Sequence, residues 1–158
     1  MNRPLYRSAL RSIQQSARNI VAAMPEFQGV KVLAEEQKDF QTELEKMVEG
    51  VGLFATVLTV GGRAAYSDTS KPYFTNIEVV VRIFENVAVN RGGTNPQYRT
   101  GQELAELAAI GLHCESAEGI AECFVARDVT LANDNLMASF GIVCWDAKLS
   151  TQGGTTTE

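Results

Sequence analysis

NIEVVVRIFENVAV, residues 76 to 89, is the stretch that decides the fold. Ile77, Val79, Val81 and Ile83 take alternate positions, and side chains along an extended strand alternate between its two faces. One face of this strand is therefore continuously apolar and has to be covered by other parts of the chain. Glu78, Val80, Arg82 and Phe84 fall on the other face, which is only half apolar and is expected to meet solvent or another subunit.

The elements around this strand follow from local chemistry. LFATVLTV, residues 53 to 60, is rich in β-formers and supplies a further strand. Gly61-Gly62 then makes a turn or a bulge, and residues 63–74 read as a long hairpin loop. After the strand, the polar loop 90–99 leads to a helix that begins near Thr100. Thr100 and Glu103 form a T-x-x-E capping box there, and Leu104, Leu107, Ala108, Gly111 and Leu112 follow on one stripe. Residues 122–131 and 136–149 are alternating strands joined by an Asn133-Asp134-Asn135 turn.

Upstream, a helix runs from about Leu5 to Met24 and stops at Pro25, which cannot continue it. A short strand, Gly29 to Glu35, and a second helix, Glu36 to Val51, complete the order α-β-α-β-β-α-β-β. That order describes one α+β domain over residues 1–149, a mostly antiparallel sheet with helices packed on one face. STQGGTTTE, residues 150–158, has no apolar content and reads as a flexible polar tail.

The bulk properties are those of a globular domain. A chain of 158 residues buries roughly 70% of its unfolded surface. No apolar run reaches the ~20 residues of a membrane span, and the N-terminus lacks the apolar core of a secretory signal. The odd cysteine count (Cys114, Cys123, Cys144) points to reduced thiols, with Cys123 and Cys144 in apolar, core-like runs.

The net charge of −5 hides an asymmetry. Residues 1–25 carry Arg3, Arg7, Arg11 and Arg18 and no acid, whereas the rest of the chain carries 10 basic and 19 acidic residues. Arg3, Arg7 and Arg11 recur every fourth residue, so a helix aligns them on one face, beside an apolar stripe through Ile13, Ala17 and Ile20. Such a basic face either meets an acidic partner or balances the acidic body of the same protein. No aromatic residues interleave the arginines and the body is acidic, which argues against direct nucleic-acid binding.

Catalytic patterns fail on inspection. A phosphate loop needs a lysine and Ser/Thr behind its glycines, and NRGGTNPQYRTG, residues 90–101, has no lysine. A dinucleotide fingerprint joins strand to helix tightly, whereas about ten residues intervene here. One histidine and no CxxC speak against a zinc site, and no GxSxG elbow is present. His113 stands at the end of a helix, where the dipole stabilises it without catalytic duty. The sequence reads as non-enzymatic, with no cofactor and no metal.

With those patterns set aside, IEVVVRIFENVAVNRGGTNPQYRTGQELAELAAIGLHCES, residues 77–116, resembles the central part of tail terminator (tail-completion) proteins of long-tailed bacteriophages. The shared features are a β-rich run ending in a phrase like ENVAVNR, a loop carrying Gly and Thr, and a helix ending in a Leu-His pair, here Leu112-His113. In architecture the likeness extends over residues 30–149. The arginine-bearing first helix and the polar tail depart from shorter members of that family.

The resemblance implies a structural virion protein made in the host cytoplasm and placed at the head–tail junction. Its copies would form a hexameric ring that caps the tail tube and contacts tube, sheath or connector proteins. The expected contact residues are Arg3, Arg7 and Arg11 on the first helix, Val80 and Phe84 on the strand, and Arg63, Tyr66, Lys71, Asn90, Arg91 and Arg99 in loops. Removing residues 1–20 is expected to spare the fold, and Ala at Arg91 and Arg99 to leave stability unchanged. A head–tail adaptor or other neck protein, and a small ligand-binding domain or enzyme, are the alternative readings.

Overall fold

The computed structural model describes residues 9–34, 42, 46, 52–65, 73–91, 99–116, 123–132, 139 and 141–151. The decisive strand, β3 (Tyr73–Asn86), is the middle member of a five-stranded sheet. The other strands are β1 (Lys31–Ala34), β2 (Leu53–Ala65), β4 (Phe124–Ala132) and β5 (Ile142–Thr151), and the spatial order is β1-β2-β3-β5-β4. β1 runs parallel to β2, and every other pairing is antiparallel. A parallel pair cannot be closed by a tight turn and needs a crossover. The helix expected over 36–51 would serve as one; it lies outside the described residues apart from Thr42 and Lys46, both helical.

The apolar face of β3 is covered as its alternation demands. Ile77, Val79, Val81 and Ile83 are fully buried. They share one core cluster with Ile13, Ala17 and Val21 of α1 (Ala9–Ala22), Phe27 of the 3-10 turn Pro25–Phe27, and Leu104, Ala105, Ala108 and Leu112 of the helix Gly101–Leu112. That helix is α3, because a single turn, α2 (Val87–Val89), precedes it. α1 lies over β1 and β2, and α3 over β3, β5 and β4. Each large side chain removed from water here stabilises the fold by about 1.5–3 kcal/mol.

Several boundaries differ from the sequence expectations. β2 does not end at Gly61-Gly62 but runs on to Ala65, paired with Tyr73. Two irregularities flank Gly61: Val60 is extra on β2, and Asn76 and Ile77 together oppose Gly62. A Cβ at Gly62 would sit 3.1 Å from Ile77 and 3.6 Å from Leu10 of α1, so the glycine permits the helix to approach. Asn76 absorbs the bulge at φ 49, a left-handed conformation that Asn tolerates better than most residues. Arg63 is therefore a strand residue paired with Thr75, not part of a loop.

Side chains take over where the ladder is interrupted. The Ile77 amide donates to Thr151 Oγ1 at 3.0 Å, and the Thr59 amide donates to Gln14 Oε1 at 3.2 Å. Ser150 and Thr151 thus belong to β5 and are buried, which corrects the polar tail expected from residue 150; residues 152–158 lie outside the described residues.

The second face of the sheet also departs from expectation. Leu33, Phe54, Phe84, Ile142 and Cys144 form a separate buried cluster there, with the Phe54 and Phe84 rings stacked at 4.5 Å between centroids. Phe84 is core, and Val80 is 7% exposed, so neither stands free on a bare face.

Two stability predictions follow from burial. Ile83→Ala should cost about 2–5 kcal/mol in urea unfolding, while Ile110→Ala, at a site 71% exposed, should stay within about 0.5 kcal/mol. Deleting residues 1–20 removes Ile13 and Ala17, both fully buried, so that truncation should unfold the domain rather than spare it; circular dichroism of the truncated chain would decide.

Candidate functional site

Two constellations gather polar residues on the sheet. The first is a groove of about 730 Å3 on the face opposite the helices, floored by Leu58 and Val80 and rimmed by Glu78, Arg82, Arg127, Asp128, Asp146 and Lys148. Strand register produces it. Leu58, Val80, Lys148 and Asp128 stand in one row across four strands, and Thr56, Arg82, Asp146 and Thr130 in the next.

Within the groove two of the charges are joined to each other. Arg82 donates to Asp146 through two parallel bonds, Nε to Oδ1 at 2.8 Å and Nη2 to Oδ2 at 3.0 Å, the fork geometry that makes Arg–carboxylate pairs specific. Arg127, the extra residue of a bulge in β4, donates from Nε to Ser150 Oγ at 2.7 Å. Among the described residues no histidine or cysteine lines this groove, and no base is set against a nucleophile. Its chemistry is that of a surface presenting both signs over an apolar floor.

The second constellation is inside. Glu85 continues the core-facing alternation of β3 two residues beyond Ile83 and is fully buried. Its carboxylate accepts from Asn90 Nδ2 on one oxygen and from Arg91 Nη2 at 3.2 Å on the other. Asn90, itself fully buried, also donates to the Arg99 carbonyl at 2.8 Å, and so ties the start of the 91–99 connection to its end.

The neighbours of this cluster fix the same stretch. The Asn86 amide donates to the Gly52 carbonyl at 2.8 Å, while its side chain caps α2 by accepting from the Val89 amide. Gly52 has φ 77, and a Cβ there would lie 2.9 Å from the Asn90 nitrogen; only glycine fits. Thr100 caps α3 by accepting from the Glu103 amide at 3.1 Å, and its hydroxyl also meets the Glu103 carboxylate, which does not reach back to the Thr100 amide as a full capping box would.

The sequence-selected residues therefore separate. Asn90, Arg91 and Arg99 come together around Glu85 as architecture, and Asn90 is withdrawn from the surface altogether. Val80 is in the groove floor, Phe84 in the second cluster, Arg63 on β2 and Arg11 on the exposed side of α1. Arg3, Arg7, Tyr66 and Lys71 lie outside the described residues.

Sequence reading missed Glu85, Arg82 and Asp146. For Glu85 the signal was present: a carboxylate at the next core-facing position of an apolar stripe must carry its own hydrogen-bond donors. For Arg82 and Asp146 no such signal exists, because their pairing depends on the β3–β5 register.

Compared with known proteins, the chain matches no family model and no curated protein. Among the described residues no group of three or more His, Cys, Asp or Glu side chains is placed to hold a metal, and no helix is long and apolar enough to cross a membrane.

The geometry reverses one expectation for the loop arginines. Arg91→Ala should cost about 1–2 kcal/mol, because it strips a donor from a buried carboxylate, whereas Arg99→Ala, which leaves the backbone carbonyl in place, should change little. Thermal melts of the two variants would separate them, and equal melting temperatures would refute the assignment.

Proposed function

We propose that this protein is a structural building block of a phage virion, a ring-forming tail terminator that caps the tail tube and meets the head connector. The observation that carries this reading is the groove on the sheet face opposite the helices. Its charges are of both signs over an apolar floor, and the Arg82–Asp146 pair is already closed. Such a surface suits a neighbouring protein, whose own charges and apolar groups interleave with it, better than a small substrate, which calls for convergent polar groups in a pocket.

The stretch that resembles tail terminators supports the same role. ENVAVNR is the segment that the Glu85 network clamps to the sheet, so its residue types serve rigidity rather than chemistry. The bonds among Glu85, Asn90, Arg91 and the Arg99 carbonyl tie the end of β3 to the start of α3, as a ring subunit with neighbours on several sides requires.

Native mass spectrometry of the purified full-length chain tests the proposal. A hexameric species is expected, together with density at the head–tail junction when tagged protein is located in virion images. A twelve-fold ring would favour the adaptor reading, and a monomer that turns over a small molecule would overturn the structural role.

A further inference from the structure

Opposite charges sit at opposite edges of this sheet. α1 lies over the β1 edge and α3 over the β4 edge. Residues seven apart share one side of a helix, and this shows which side of each helix looks outward. On α1, Arg11 and Arg18 are so related, with Gln15 between them, and Arg18 donates from Nε to the Val32 carbonyl of β1 at 3.0 Å. On α3, Glu103 and Ile110 are so related, with Glu106 between them, and at the C-terminal cap of the helix His113 Nδ1 accepts from the Ala126 amide of β4 at 3.1 Å. The basic stripe therefore flanks β1, and the stripe Glu103–Glu106–Ile110–His113 flanks β4.

Two further facts suit these stripes to each other. Arg18 and His113 occupy outward backbone groups of the two edge strands, so side chains, not an extended ladder, are presented at these points. Ile110 is 71% exposed in the middle of the acidic stripe, an apolar contact with charges before it, as at the centre of a protein interface.

We infer that the Arg11–Gln15–Arg18 side of one copy packs against the Glu103–Glu106–Ile110 side of the next copy, a head-to-tail contact that repeats around a ring. The occupant is a second copy because the basic partner for an acidic α3 is part of the same chain. Residues 1–25 carry four arginines and no acid, against an excess of acids in the remainder. A contact between two different surfaces of one protomer is heterologous and closes into a ring when its rotation permits. The inference rests on the assembly reading above and names the surfaces that would carry it.

Paired charge reversals test it in the full-length protein. One variant carries Glu103→Arg and Glu106→Arg, the other Arg11→Glu and Gln15→Glu; Arg18 is left untouched because it bonds β1. Each variant alone should dissociate at a concentration about tenfold or more higher than the parent, as like charges meet across the contact. Mixed in equal amounts, the two should assemble again, since each reversed surface then faces its complement. Circular dichroism melts matching the parent keep folding out of the comparison, and raised salt should weaken the parent assembly.

If the parent assembles but the α3 variant assembles equally well, the contact lies elsewhere and the inference fails while the assembly reading stands. A parent that stays monomeric at every concentration and salt level overturns both.

Discussion

The structure depends on one constraint: β3, in the middle of the sheet, carries an apolar face from Ile77 to Ile83 that must be covered. Ile77, Val79, Val81 and Ile83 are fully buried, and α1, the 3-10 turn and α3 all contribute to their cover. The two helices come from distant parts of the chain, α1 lying over β1 and β2 and α3 over β3, β5 and β4, and they meet above the sheet. Neither would hold its shape alone, since helices of 14 and 12 residues are marginal in water without a packed face.

The end of β3 applies the same constraint to a polar group. Glu85 stands where the alternation would place another aliphatic residue, and its carboxylate is stable there because Asn90 and Arg91 supply donors. That requirement organises the chain that follows. Asn90 must be buried to reach Glu85, Gly52 must lack a side chain to admit Asn90, and the Arg99 carbonyl is drawn in beside Thr100. The two ends of a loop that reads as polar surface are thereby fixed from within.

The opposite face answers a different demand. At the Phe54–Phe84 end it builds a second apolar cluster, and toward Val80 it opens into the mixed-charge groove. The sheet thus separates a sealed side, which supplies stability, from a side and two edges that present charge. This division is compatible with a subunit that has to keep its shape while touching several neighbours.

Much of this was legible in the chain itself. Alternation identified β3 and its buried face, Pro25 ended the first helix, and Thr100 marked the start of α3, because strand faces, helix stops and caps are set by residues within a turn or two of one another. The extension of the β2–β3 hairpin past Gly61-Gly62, the parallel partnership of β1, the joining of Arg82 to Asp146 and the burial of Asn90 were decided only in three dimensions. Each depends on register or on a donor and acceptor meeting across the fold, and pairing of that kind leaves no periodic trace in the order of the residues.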